Sequence, residues 1–117
     1  MQAKPSSYLP LTEPTFYILL SLAPGKKHGY AILKDVEALS DGKVRLSTST
    51  LYGALGRLLD QGLIERVPNE EKETTGPGLP RKAYILSHTG RRILEAETRR
   101  MQALVTTARL RLGEGRT

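Results

Sequence analysis

The sequence contains no cysteine and no tryptophan, and only two of its 117 residues are histidine. The lack of cysteine excludes a disulfide framework, a thiolate metal site and a cysteine nucleophile. No apolar run approaches the roughly 18 residues of a membrane-spanning helix, and the N-terminus lacks the charged region and apolar core of a secretory signal. We therefore expect one cytoplasmic domain that does not contact a membrane.

Catalysis is not favoured by this sequence. An enzyme needs a nucleophile with a base, paired acids or metal ligands that converge on one surface. Here His28 and His88 are isolated, and the carboxylates concentrate in one loop and on predicted helix surfaces. We therefore predict no catalytic residue, no metal site and no cofactor.

The charge of the chain is basic, with 18 lysines and arginines against 12 acidic residues and a formal net charge of +6. A basic excess in a small domain favours a polyanionic partner, most simply nucleic acid. Ordinary solubility charge would give the same balance, so composition alone leaves both interpretations open.

Hydrophobic periodicity predicts a mainly α-helical fold with a small β-hairpin. The predicted helices lie within residues 12–23, 29–40, 47–62 and 88–112, and the segment 26–28 is predicted to be a basic turn. The predicted strands are 63–67 and 81–86, joined by a polar loop rich in glycine and proline. We expect residues 1–10 to form a flexible N-terminal arm.

The stretch 47–62, STSTLYGALGRLLDQG, organises this arrangement. Ser47 is a good N-cap, and a stripe of leucines predicts one buried face. The opposite face is short and polar, with Arg57 as its one cation. Gly53 and Gly56 each cost about 1 kcal/mol of helix stability relative to alanine. They suit a face that another molecule approaches closely, or they are tolerated surface residues.

The last predicted helix is too long for a domain of this size to cover. Its apolar residues recur at a nearly heptad spacing, which favours pairing with another helix. The alternative is that the helix folds back on its own core. The predicted dimer contacts are Ile93, Leu94, Met101, Leu104, Val105, Ala108 and Leu112.

The order helix, helix, capped helix and hairpin is that of a winged helix-turn-helix. The motifs that carry a closer likeness are 27–30 (KHGY), 46–52 (LSTSTLY), Leu55, Leu58, 62–64 (GLI), Arg81-Lys82 with Tyr84, and Leu86-Ser87 with Thr89-Gly90. Together, from about residue 11 to about residue 105, they closely resemble the PadR family of transcriptional regulators. Many members have Pro-Gly where this chain has Thr48-Ser49, and a larger or basic residue where it has Gly53. An operator sequence is therefore not transferable from relatives.

The resemblance implies a winged helix-turn-helix DNA-binding domain at residues 11–87, and a C-terminal dimerisation helix with a frayed tail at 88–117. It also implies a homodimer that acts as a repressor on operator DNA and, in many members, is released by a small-molecule inducer. Some members bind flat aromatic compounds between tryptophans at the dimer interface, a mode that this tryptophan-free chain does not support. A dimer places its recognition helices about one DNA turn apart, roughly 34 Å, so we expect an inverted-repeat operator.

Candidate DNA contacts fall in three places. At the start of the second helix they are Lys26, Lys27, His28 and Tyr30. On the third helix they are Ser47, Thr48, Ser49, Thr50, Tyr52, Gly53 and Arg57. In the wing they are Arg81 and Lys82, because three glutamates on its ascending side would repel phosphates and keep that side off the DNA.

Two of these assignments have structural alternatives. Capping by the hydroxyl residues is compatible with DNA contact, and the ring of Tyr52 could equally pack at the helix edge. For the whole chain, the alternative is a winged helix that binds a partner protein and no specific DNA. DNA binding that is absent at low salt would favour that alternative.

Overall fold

The computed structural model describes residues 5–68 and 82–114. After a short 3-10 turn (Pro5–Tyr8), the elements are α1 (Glu13–Leu22), β1 (Lys27–His28), α2 (Gly29–Leu39), α3 (Thr48–Asp60), β2 (Ile64–Val67), β3 (Ala83–Leu86) and α4 (His88–Leu112). The predicted fold class, mainly α with a small β-hairpin in a winged helix-turn-helix order, is confirmed, and a third strand extends the hairpin into a small sheet. The loop predicted between the two hairpin strands lies outside the described residues.

Three of the helices begin at hydroxyl caps that the sequence predicts. The side-chain oxygens of Thr12, Ser47 and Ser87 accept the backbone N–H three residues later, at 3.3, 3.1 and 2.9 Å. These bonds satisfy amides that the first helical turn leaves without a partner. At its other end α4 stops at Gly113, whose φ of 82° is a conformation that favours glycine.

The sheet has three antiparallel strands in the order β1-β3-β2. The predicted hairpin is present, because β2 and β3 pair antiparallel. The prediction of a turn at 26–28 was wrong, because Lys27 and His28 pair with Tyr84 and Ala83 of β3 and add a third strand. A strand of two residues has no periodicity to detect. β1 forms because its backbone pairs with the edge of β3, which is distant in the sequence.

The core lies between α1, α2, α3, the sheet and the first half of α4. Its buried apolar residues are Ile18, Leu19, Leu22, Ile32, Val36, Leu51, Ala54, Leu55, Leu58, Leu63, Ile64, Tyr84, Ile93 and Leu94. Leu59 of the predicted leucine stripe is half-buried. Leu39 follows the buried Ile32 and Val36 at helical spacing but is exposed, because it is the last residue of α2.

The start of α4 is docked on the segment that enters β2. Ser87 Oγ donates to the Gly62 carbonyl at 2.6 Å, and the Ser87 N–H donates to the Leu63 carbonyl at 3.0 Å. Gly90 packs so closely that a Cβ there would overlap the Leu63 carbonyl oxygen. Arg91 Nη2 also donates to the Ala23 carbonyl at 2.8 Å, which ties α4 to the end of α1.

Glu97 of α4 is a buried carboxylate that the sequence had placed on a solvated surface. It is 1% exposed and accepts bonds from the Leu11 N–H at 2.9 Å and from Arg100 Nε and Nη2 at 2.6 and 3.0 Å. These bonds satisfy the charge that burial would otherwise penalise. They join α4 to the segment after the 3-10 turn, and Tyr8 at the end of that turn and Leu9 pack against the core.

The second half of α4 extends away from the core. All residues from Gln102 to Glu114 are exposed, and the molecule measures 60 × 38 × 22 Å along its principal axes. Among the described residues, no helix is both long and apolar enough to cross a membrane.

Candidate nucleic-acid interface

The polar face of α3 is exposed, as the sequence predicts. Ser47, Thr48, Ser49 and Thr50 all face solvent at the N-terminal end, while Leu51, Ala54, Leu55 and Leu58 bury the other face. Ser47 Oγ donates to Thr50 Oγ1 at 2.9 Å and lies 3.3 Å from Ser49 Oγ. The hydroxyls therefore form a compact, exposed polar group beside the backbone amides of the first helical turn.

Arg57 and Gly53 are neighbours on this face. A Cβ built on Gly53 would lie 3.8 Å from Arg57 Nη1, and one on Gly56 would meet nothing within 4 Å. Nothing in the described structure therefore requires glycine at either position. The exposed guanidinium of Arg57 lies over Gly53, one turn toward the N-terminal end of α3.

Tyr52 packs its ring at the edge of α3, against the first residue of α2. Its hydroxyl lies so close to the backbone of Gly29 that a Cβ at Gly29 would overlap it. Gly29 is buried, and Tyr52 keeps 45% of its surface exposed. This contact fixes how α3 sits against the start of α2.

The basic segment before α2 meets the wing through the sheet. Lys26 is exposed, and Lys27 is half-buried with its Nζ 3.9 Å from an Asp35 carboxylate oxygen. His28 Nδ1 lies 3.4 Å from the carbonyl oxygen of Lys82, whose side chain is exposed. The β1–β3 pairing thus brings two predicted groups of DNA contacts together, which the sequence alone did not indicate.

The remaining predicted DNA contacts are Tyr30 and Arg81. Tyr30 is exposed on α2, and Lys34 Nζ lies 5.7 Å from its ring centroid, a cation–π distance. Arg81 lies outside the described residues.

Arg66 was not predicted, although it lies beside the candidate interface. It is exposed on β2 and pairs in register with Tyr84, which is 2% exposed. The pKa of Tyr84 is raised, chiefly by burial and then by Tyr52, while the charge and hydrogen bonding of Arg66 act in the opposite direction. The only signal in the sequence was the alternation within the strand, which places Arg66 on the same face as Ile64.

The predicted dimer contacts divide into two groups. Ile93 and Leu94 are buried in the chain's own core and leave almost no surface for a partner, so we remove them from the interface. Met101 is half-buried, and Leu104, Val105, Ala108 and Leu112 are exposed. The described residues hold no group of three histidine, cysteine, aspartate or glutamate side chains arranged for a metal ion.

A three-helix unit, a three-stranded sheet and an exposed polar face on the third helix define a winged helix-turn-helix domain. The chain matches the PadR-like family of transcriptional regulators over residues 18–96, and it belongs to that family. The matched family is one of transcriptional regulators, and solved structures of PadR regulators share this fold.

The solved structures similar to this chain include two PadR regulators. A PadR family transcription regulator from Clostridium difficile is 24% identical with a TM-score of 0.70, covering 86% of this chain and 99% of that one. PadR from Bacillus subtilis, in complex with operator DNA, is 25% identical with a TM-score of 0.61, covering 74% and 47%.

One curated relative is similar in sequence. It is an uncharacterised 37.1 kDa protein in a transposon of Streptomyces fradiae, 39% identical over 87 residues, or 74% of this chain. The match spans only 22% of that protein's length.

Proposed function

We propose that this chain is a homodimeric repressor that binds an inverted-repeat operator. The observation that carries the proposal is the exposed face of α3, where four hydroxyl side chains and one arginine stand opposite a buried leucine stripe. A helix of this kind fits the major groove with its N-terminal residues toward the bases. The operator DNA bound by PadR of Bacillus subtilis supports the same partner for this chain.

The chemistry of α3 suits both phosphates and base edges. The hydroxyls of residues 47–50 and the free amides of the first turn donate to phosphate oxygens. Arg57 has the planar donor pair that recognises guanine or phosphate. Gly53 leaves the guanidinium and the DNA room to approach the helix backbone.

Flanking contacts come from the segment before α2 and from the wing. Lys26, Lys27, His28 and Tyr30 lie at the start of α2, and Lys82 lies beside His28 through the sheet. We propose that these residues, together with Arg81 and Tyr52, contact the DNA backbone. Cations that neutralise phosphates release counterions, so they contribute affinity that falls with salt.

The dimer forms through the exposed half of α4. Met101, Leu104, Val105, Ala108 and Leu112 lie on one stripe, since their spacings of three, one, three and four keep them on one side of a helix. An apolar stripe that its own chain leaves uncovered is a natural partner for a second copy. Release of the dimer from DNA by a small ligand is the remaining part of the proposal, and it rests on the family resemblance alone.

The test is binding to the DNA upstream of the chain's own gene, across a salt series, with the oligomeric state measured in the same samples. We expect one dimer to bind, with an affinity that falls steeply as salt rises and that survives nonspecific competitor. A dimer that binds any DNA weakly and equally would contradict specific operator binding at this site. Absence of DNA binding even at low salt would favour a partner protein instead.

A further inference from the structure

Arg66 lies at the end of a row of side chains that crosses the sheet. It is two residues after Ile64 on β2, so the two side chains share one face, and that of Ile64 is buried in the core. Arg66 lies opposite Tyr84 of β3, and Lys27 of β1 lies opposite Tyr84 from the other side. Lys27, Tyr84 and Arg66 therefore occupy one row on the core-facing side of the sheet.

This row meets α3 at Tyr52. Tyr52 contacts Gly29, which directly follows Lys27–His28 of β1, and Lys27 and Arg66 lie opposite Tyr84 from its two sides. The effects of Tyr52 and Arg66 on the pKa of the buried Tyr84 agree with this arrangement. Arg66 itself is exposed. Its guanidinium thus lies at the junction between the wing strand and the helix that we assign to the major groove.

Arg66 supplies an exposed positive charge at this junction. Lys27 is half-buried and its ammonium lies 3.9 Å from Asp35, which offsets part of its charge. An exposed guanidinium held beside a buried phenol suits a phosphate oxygen, because arginine forms strong, charge-assisted hydrogen bonds with phosphate.

We propose that Arg66 binds a DNA backbone phosphate at the junction of the wing and α3. The proposal rests on the proposed function and adds a contact on the ascending strand of the wing. The sequence had kept that side off the DNA because of the three glutamates that follow it. That expectation does not apply to Arg66, because Arg66 lies on the face of the sheet that meets α3.

The experiment compares Arg66→Ala with Arg92→Ala, which removes another exposed arginine, from α4. Both variants are titrated against the upstream promoter fragment between 50 and 200 mM salt, an interval over which phosphate contacts lose much of their contribution. We expect Arg66→Ala to weaken binding and to reduce the slope of log affinity against log salt by about one per protomer. Arg66→Lys should keep the slope, and Arg92→Ala should behave as the wild type.

A second measurement locates the phosphate. Methylphosphonate groups replace single phosphates of one half-site, and each modified DNA is titrated with the wild type and with Arg66→Ala. One replacement should lower the DNA affinity of the wild type and leave that of Arg66→Ala unchanged. Equal losses for both proteins at every phosphate, or an unchanged salt slope in Arg66→Ala, would overturn the proposal while leaving the proposed function intact. A wild type that binds no DNA would overturn both.

Discussion

Arg100 holds both carboxylate oxygens of Glu97, which in turn accepts the backbone N–H of Leu11. The hydrogen bond from Arg100 is the main cause that lowers the pKa of Glu97 below the ordinary value of 4.5, against the opposing effect of burial. A carboxyl whose pKa is lower in the folded state stabilises that state above its unfolded pKa. This contribution is lost as the pH falls through the folded pKa.

Glu97→Gln should therefore lower the free energy of unfolding at pH 7, by about 1–3 kcal/mol, because charge-assisted bonds to a buried group are lost. The difference from wild type should shrink as the pH falls below 4.5. Denaturant unfolding across a pH series checks this. Glu95→Gln, at an exposed glutamate of the same helix, is the matched control, and a difference that stays constant at acid pH would contradict the assignment.

The contact between Gly29 and Tyr52 predicts a second stability effect. Gly29→Ala places a methyl group where the Tyr52 hydroxyl lies, so we expect a loss of about 1–3 kcal/mol from overpacking. Gly56→Ala meets nothing within 4 Å and should instead stabilise α3 by up to about 1 kcal/mol. Thermal unfolding of the two variants separates these effects, and equal shifts in the same direction would refute the proposed contact.

Gly53→Ala should separate stability from DNA binding. The added methyl group has room within the chain, so we expect a gain of up to about 1 kcal/mol in helix stability. If DNA approaches the backbone at this position, operator affinity should fall in the same variant. Paired measurements of melting temperature and operator affinity give the answer. A more stable variant with unchanged affinity would make Gly53 a tolerated surface residue.

The stripe on the second half of α4 predicts the effect of a charge in the dimer interface. Leu104→Asp, at a side chain that is 56% exposed, should give monomers and lose operator binding together. Leu110 is 65% exposed but lies about 180° around the helix from Met101, at 100° per residue. Leu110→Asp is therefore the matched control and should remain dimeric. Sedimentation of both variants measures their oligomeric state. A Leu104→Asp monomer that binds the whole operator with normal affinity would contradict a dimer interface on this stripe.

The helices were predictable because their information is local. Hydroxyl caps at Thr12, Ser47 and Ser87, apolar residues at helical spacing, and Gly113 at the end of α4 define them within a few residues. The exposed polar face of α3 follows from the same periodicity. These features need no knowledge of what lies elsewhere in the chain.

The features that the sequence did not predict depend on contacts between distant residues. The strand Lys27–His28 forms only because β3 offers an edge, and the burial of Glu97 depends on Leu11, 86 residues earlier. The position of Arg66 beside α3 depends on the register of β2 with β3. None of these pairings leaves a periodic trace, so they emerge only once the chain is folded.

The continuity of α4 has a consequence for the spacing of a dimer on DNA. One unbroken helix of 25 residues, His88–Leu112, places Ile93 and Leu94 in the core and ends in the exposed stripe. Such a helix is about 37 Å long at 1.5 Å per residue, and it has no proline and no flexible linker between its two ends. In a dimer built on this stripe, the rigid helix α4 would fix the distance between the two α3 helices that contact DNA.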